Sequence, residues 1–145
     1  MRASWDEYFL GLASQVATRA TCSRRQVGAV IVHGERIVAT GYNGGPSGYV
    51  HCDEGGCPRA DGPAPAGSGY EDCIAIHAEA NAIMFSSPEE RSGATMYCTQ
   101  HPCFGCAKLL ANSGVGEVVV VGTYDGFEFT RRFLQDCGVR VRVLS

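Results

Sequence analysis

No stretch of this sequence approaches the roughly 18–20 consecutive apolar residues that a bilayer-spanning helix needs, so a helical membrane protein is excluded. Positive charge is not in excess either. Twelve Lys and Arg stand against fifteen Asp and Glu, a net charge of −3, which argues against a broad basic surface for nucleic acid. The 19 glycines follow no Gly-X-Y period, and there is no internal repeat or linker. Eight cysteines in 145 residues fall below the ~8–10% of a small disulfide scaffold. Nor is an export signal expected: Asp6 and Glu7 interrupt Met1 to Leu10 where an apolar run would be needed. The expected location is cytoplasmic, where cysteines are metal ligands, catalytic groups or core residues before they are disulfides.

What is present is enough for a core. Hydrophobic residues make up 45% of the chain, and at roughly 150 residues per domain the expectation is one domain over 1–145. Trp5, Tyr8, Phe9, Leu12 and Val16 recur at helical spacing behind a capping Ser4. Val27 to Val32 and Arg36 to Thr40 read as a hairpin turning near His33–Glu35. Gly41 to Gly48 (GYNGGPSG) reads as a loop whose backbone can approach a ligand. Residues 49–72 would form an unusually long loop, so something must order them. Helices are expected over Ile74 to Ser86, Cys103 to Asn112 and Phe127 to Cys137. Strands are expected over Ala94 to Thr99 and Glu117 to Val121, with Val139, Val141 and Val143 alternating in a last one. The order α-β-β-α-β-α-β-α-β describes an α/β domain with one mixed sheet and helices on its faces.

Two short motifs carry the chemistry: His77-Ala78-Glu79 and Pro102-Cys103-Phe104-Gly105-Cys106. Either alone is weak, since Cys-x-x-Cys also serves redox and structural roles. Together they describe a catalytic zinc site. Cys103 and Cys106 are i and i+3 in the first turn of a helix, where the helix dipole favours thiolates. With His77 they make three ligands and leave a fourth position for water. Glu79 is held near the metal without needing to bind it, placed to take a proton from water and deliver it to a substrate nitrogen. His-x-Glu joined to Pro-Cys-x-x-Cys is the signature of zinc-dependent nucleobase deaminases.

With those residues in view, the chain resembles the deoxycytidylate (dCMP) deaminase branch of the cytidine deaminase-like superfamily over nearly its whole length. Carrying the resemblance are Val27-Gly28-Ala29-Val30-Ile31, Gly41-Tyr42-Asn43-Gly44 with Pro46, His77-Ala78-Glu79-Ala80-Asn81-Ala82-Ile83, and Pro102-Cys103 through Cys106-Ala107-Lys108. Asn81 and the GYNG loop discriminate. Similar tRNA adenosine and free-cytosine deaminases keep the zinc motifs but usually lack this pairing.

The resemblance implies a three-layer α-β-α fold with a mixed five-stranded sheet. It implies hydrolysis of dCMP to dUMP and ammonia in pyrimidine deoxynucleotide metabolism. Zinc-activated water attacks C4, and Glu79 moves the proton to N3 and then to the leaving amine. Substrate contacts are implied for Asn43 (sugar), Tyr124, Ala78 and Phe85, the last as a gate against a 2′-hydroxyl, with a core Phe as its alternative. Amides of the GYNGGPSG loop are a candidate phosphate nest. Arg91 is the nearest basic residue after the HAEANAI helix. The resemblance also implies a homo-oligomer, hexamer or dimer, with dCTP and dTTP as possible effectors, and no nucleic-acid or membrane partner.

A second set, Cys22, Cys52, Cys57 and Cys73, has the composition of a closed structural zinc site that would order the long loop, with His51 as an alternative ligand. The resemblance supports it, because bacterial and phage members are similar in having such a site. Cys98 and Cys137 read as small core residues, and His33 as solvated. His101 is expected beside the metal site without ligating it. Arg131-Arg132 reads as a solvated helix face. The competing readings are a deaminase of another cytosine nucleotide or a modified dCMP, a thiol–disulfide oxidoreductase using Cys103-x-x-Cys106, and a non-catalytic zinc module in which Glu79 is idle.

Overall fold

Ser4 opens the first helix, α1 (Trp5–Ala17), in the computed structural model, which describes residues 1–58, 62–63, 65, 73–121, 123 and 125–144. Its hydroxyl accepts from the Glu7 amide at 3.1 Å, and the Glu7 carboxylate accepts from the Ser4 amide at 3.3 Å. This capping box satisfies two amides that a helix start leaves without partners.

The hairpin follows as β1 (Gly28–His33) and β2 (Arg36–Tyr42). Gly34 and Glu35 between them both have positive φ, 58° and 67°, the backbone a tight hairpin requires. After a short 3-10 turn at Cys52–Glu54 come α2 (Ala78–Met84), α3 (Pro88–Arg91), β3 (Thr95–Cys98), α4 (Phe104–Ala111), β4 (Glu117–Val120), α5 (Phe127–Asp136) and β5 (Arg140–Val143).

The five strands form one sheet in the order β2-β1-β3-β4-β5. β1 runs antiparallel to both neighbours, whereas β3, β4 and β5 are parallel, joined by the crossover helices α4 and α5. Alternate residues divide the core into two layers, as the strand period of two demands. Ala29, Ile31, Met96, Cys98, Val118 and Val120 pack against Ala78 and Ala82 of α2, Ala107 and Leu110 of α4, and Leu134 of α5. Val30, Val32, Tyr97 and Val119 pack against Phe9 and Ala13 of α1 on the other side. The expected three-layer α-β-α fold with a mixed five-stranded sheet is therefore present.

Three details differ from expectation. α2 begins at Ala78, not Ile74, because Ile76 pairs with Gly44 in an isolated antiparallel bridge. That bridge and the extension of β2 to Tyr42 give regular pairing to part of the GYNGGPSG segment. A further short helix, α3, follows the expected helix end at Ser86, with Pro88 at its first position and Ser87 capping it through its own box to Glu90. Cys137 is exposed, not a core residue. It caps α5 at the outward register between buried Leu134 and Val139. Among the described residues no helix is long and apolar enough to cross a membrane.

Candidate metal centre and active site

His77 is not within a helix turn but is the N-cap of α2, in extended conformation (φ −68°, ψ 153°). Cys103 is likewise the N-cap of α4 (φ −69°, ψ 170°), with Cys106 at its third position. The sheet carries the two helix starts to one place. His77 Nδ1 lies 3.5 Å from Cys103 Sγ and 3.3 Å from Cys106 Sγ. All three donor atoms fall within 4.8 Å of one another.

A tetrahedral zinc bound at ordinary Zn–S and Zn–N lengths separates its N and S ligands by about 3.5–3.6 Å. The spacing of these donors is thus already that of a shared ion. Their charges agree. Cys103 is pulled down to about 3, chiefly by the hydrogen bond from the Cys106 thiol, with His77 and the Cys106 amide assisting against burial. Cys106 is pushed far up, chiefly because its thiol donates to Cys103, with burial and the charge of Glu79 adding. Two thiolates at this separation disfavour each other, and a divalent cation between them removes the conflict. His77 is raised mainly by its bond with Cys103.

Glu79 follows in the first turn of α2, only 4% exposed. Burial is the main cause that pushes its carboxyl up to about 7, while its own backbone amide and His77 pull the other way. A buried carboxyl poised near neutrality can accept and return a proton at working pH.

The motifs that discriminated in the sequence are stitched to each other. The Asn81 side chain donates to the Tyr42 carbonyl at 2.9 Å, tying α2 to the end of β2. The bridge between Gly44 and Ile76 closes through bonds of 3.1 and 2.8 Å. Asn43 is buried and does scaffold work. Its Oδ1 accepts from the Val27 amide at 2.8 Å and its Nδ2 donates to the Arg25 carbonyl at 2.9 Å. The amides of Asn43, Gly44 and Tyr49 already donate to Val27, Ile76 and Pro46 carbonyls, so an anion nest in this loop is narrower than its glycine density suggests. Ala78 is fully buried at the start of α2. Phe85 caps the far end of α2 and is 74% exposed, which rules out the core alternative. Tyr124 lies outside the described residues.

One residue escaped notice. Arg25 carries a charge that bears on both His77 and His101. The register Ala29↔Cys98 would have found it, since it sets the residues before β1 opposite those after β3. Arg91, the nearest basic residue after the HAEANAI helix, has its guanidinium spent on carbonyls. His101 is buried beside Phe127, ring centres 5.0 Å apart, and lies outside the donor group. His33 is exposed.

The second cysteine set shares one neighbourhood without reaching the donor spacing of the first, since among the described residues the group with three donor atoms within 4.8 Å is that of His77, Cys103 and Cys106. Cys22, Cys52 and Cys57 are buried and Cys73 half-buried. Cys57 and Cys73 bring their sulfurs to 3.9 Å, close to the about 3.8 Å between ligands of a tetrahedral zinc–thiolate centre. Cys52 is raised first by burial, then by the charges of Cys57, Cys22 and Cys73. His51 is exposed while Cys52 turns inward.

Comparison with known proteins agrees with this site. Residues 3–122 match the family model for the cytidine and deoxycytidylate deaminase zinc-binding region. The deoxycytidylate deaminase of Mycobacterium phage D29 is 46% identical over 123 residues, covering 81% of this chain and 94% of that protein. The deoxycytidylate deaminase of Schizosaccharomyces pombe is 42% identical over 97% of this chain, which spans only 44% of the yeast protein. Among solved structures, the dCMP deaminase of cyanophage S-TIM5 in complex with dCMP and dUMP superimposes with a TM-score of 0.78. It is 28% identical, with 99% of both chains covered. The chain belongs to the cytidine and deoxycytidylate deaminase family, whose zinc-binding region takes in His77, Glu79, Cys103 and Cys106.

Proposed function

We propose that this chain, as a single domain over 1–145, hydrolyses dCMP to dUMP and ammonia. The observation that carries the reading is the three-donor group of His77, Cys103 and Cys106, which leaves one position open beside the buried carboxyl of Glu79. The dCMP and dUMP bound by the cyanophage enzyme support the choice of substrate. So do the deoxycytidylate deaminases among its relatives.

His77, Cys103 and Cys106 would hold zinc, and when bound it supplies a polarised, readily deprotonated water. Glu79 takes the proton that this water releases and places it on N3 of the pyrimidine. Once the water oxygen is bonded to C4, the same carboxylate takes the second proton from the new C4 hydroxyl and delivers it to the amine as the C4–N bond breaks, so that water and dCMP leave as dUMP and ammonia. Burial keeps competing water away from Glu79. The hydrogen bond from Asn81 to Tyr42 holds α2 against the loop that would flank the nucleotide. Arg25, at the same end of the sheet, contributes positive potential toward the 5′-phosphate, with the remaining GYNGGPSG amides beside it. Asn43, Ala78, Phe85 and Tyr124 keep the substrate-lining roles that the family resemblance implies.

The test is ammonia release from cytosine, deoxycytidine, dCMP, CMP and dCTP by zinc-loaded protein. The expected result is a kcat/KM for dCMP about 10²-fold or more above that for deoxycytidine, because a site built for a charged group leaves buried polar groups unpaired without it. Equal values would remove phosphate recognition. No turnover of dCMP would remove the reading.

Cys22, Cys52, Cys57 and Cys73 form, in this reading, a second and purely structural zinc site. Its occupancy predicts two zinc ions per chain by elemental analysis. Cys52→Ser should leave one ion and lose much of the stability, since such a site contributes on the order of 10 kcal/mol to folding. One ion per chain in folded, fully active protein would show that the second site is empty of function. The thiol chemistry of both centres suits a reducing, cytoplasmic location. Exposed Met84, Phe85, Phe104, Leu109 and Phe129 on the α2, α4 and α5 side support a homo-oligomer.

A further inference from the structure

We propose that Arg91 is a positioning residue for the metal centre, setting the separation of the two helices that bring its ligands. Arg91 ends α3, and its guanidinium reaches in two directions. Nη1 donates to the Ile83 carbonyl at 2.9 Å, to the Ser86 carbonyl, and to Ser86 Oγ at 3.2 Å. Nε donates to the Ser113 carbonyl at 3.0 Å. The first three acceptors lie at the end of α2, whose start is His77. The last lies just past α4, whose start is Cys103.

Both grips are on firm ground. Ser86 Oγ donates to the Ala82 and Ile83 carbonyls at 3.0 and 2.9 Å. Ser113 Oγ donates to the Leu110 carbonyl at 2.8 Å and accepts from the Val115 amide at 3.2 Å. Arg91 itself is anchored through the capping box of Ser87 and Glu90, and its carbonyl accepts from the Ala94 amide at 3.0 Å. Among the described residues Arg91 makes no ion pair. Its positive charge instead faces helix C-terminal carbonyls, where the dipole favours it.

The lever arms decide whether this matters. Ile83 is six residues beyond His77 and Ser113 seven beyond Cys106, about 9–10 Å along each helix direction. A tilt of about 5° at the clamp moves a ligand atom by roughly 0.8 Å over that length. Ligand distances in a metal site tolerate only about 0.2 Å. Lysine would keep the charge but cannot reproduce the fork, because it has one donor centre where Arg91 uses Nε and Nη1 on separate helices.

The experiment compares wild type, Arg91→Lys and Arg91→Ala. It measures the affinity of the zinc whose removal abolishes turnover, by competition with a chelator, and the ligand-field spectrum after cobalt substitution. Arg91→Lys is expected to hold that zinc about tenfold more weakly. Its cobalt bands should shift, and kcat should fall with the KM for dCMP little changed. Arg91→Ala should lose more and regain part of it with added millimolar guanidinium but not with sodium chloride. If Arg91→Lys fails to fold by circular dichroism, Glu90→Ala, which loosens only the α3 box, replaces it and should shift both readouts in the same direction. Folded variants with unchanged zinc affinity and cobalt spectrum overturn the proposal, even if less stable to heat. The proposal rests on the metal reading of His77, Cys103 and Cys106. A wild-type chain that binds no zinc through them overturns that reading, whereas normal binding insensitive to Arg91 overturns this one alone.

Discussion

Glu79→Gln is expected to lower kcat for dCMP by about 10³-fold while leaving zinc content and fold intact. The substitution preserves shape in a position that is 4% exposed, so no cavity or clash follows. The amide cannot take a proton and return it. Nor should the change weaken folding. Burial already disfavours the ionised carboxyl, as its rise to about 7 records, and glutamine carries no charge to desolvate. Kinetics with ammonia detection, paired with zinc analysis of the same sample, checks the result. A variant keeping full activity would favour the non-catalytic zinc module, in which Glu79 is idle. Loss of zinc along with activity would instead move Glu79 into the metal's own support. The oxidoreductase reading makes a separate demand: turnover of a disulfide by Cys103 and Cys106 without metal.

The second large effect is expected from Gly41→Ala. Gly41 pairs with Ala29 in the sheet and faces α2 so closely that a Cβ would overlap the Ala78 carbonyl oxygen and sit 2.6 Å from the Ala82 nitrogen. Both obstacles are helix backbone, which cannot rotate away. The helix itself must lift from the sheet, and it carries Glu79 and follows His77. Overpacking of this kind costs about 1–3 kcal/mol, and a misplacement near 1 Å costs about 10²-fold in rate.

Gly28→Ala supplies the contrast. Its Cβ would meet the Ala13 carbonyl and sit 2.6 Å from the Ala17 nitrogen, so it pushes α1 on the opposite face of the sheet. Urea unfolding should show similar destabilisation for both variants, with the larger kcat loss confined to Gly41→Ala. Equal kcat losses would mean that the rate follows general stability and not the seat of α2.

Much of the architecture could be read along the chain because its causes are local. The β-branched run Val27 to Val32, the Val run from Glu117 to Val121 and the alternation of Val139, Val141 and Val143 declare strands. Ser4 with Glu7 declares a helix start, and Gly34 with Glu35 a hairpin. Where reading along the chain failed, a distant partner was responsible. Ile74 to Ile76 has helical composition, yet Gly44 recruits Ile76 into a bridge, so α2 starts later and His77 becomes its cap. Cys137 is apolar enough for the core, but its position at the end of α5 turns it outward. Nor could the chain show that Asn43, whose sugar contact the resemblance implies, also binds Val27 and Arg25 across sixteen or more residues of chain. The spacing of a motif carries no trace of such a bond.

The donor types, the i to i+3 placement of Cys103 and Cys106 at a helix start, and the offset of Glu79 from His77 are all local to the chain. Each follows from the geometry of a single turn. That His77 meets thiols 26 and 29 residues away at 3.5 and 3.3 Å is the work of the folded chain. It alone set Asn81 on Tyr42, and it alone divided the guanidinium of Arg91 between two helices. Those meetings depend on sheet register and on how closely helices sit against glycine-bearing strands. Such quantities are settled by packing between distant segments, and local periodicity does not encode them.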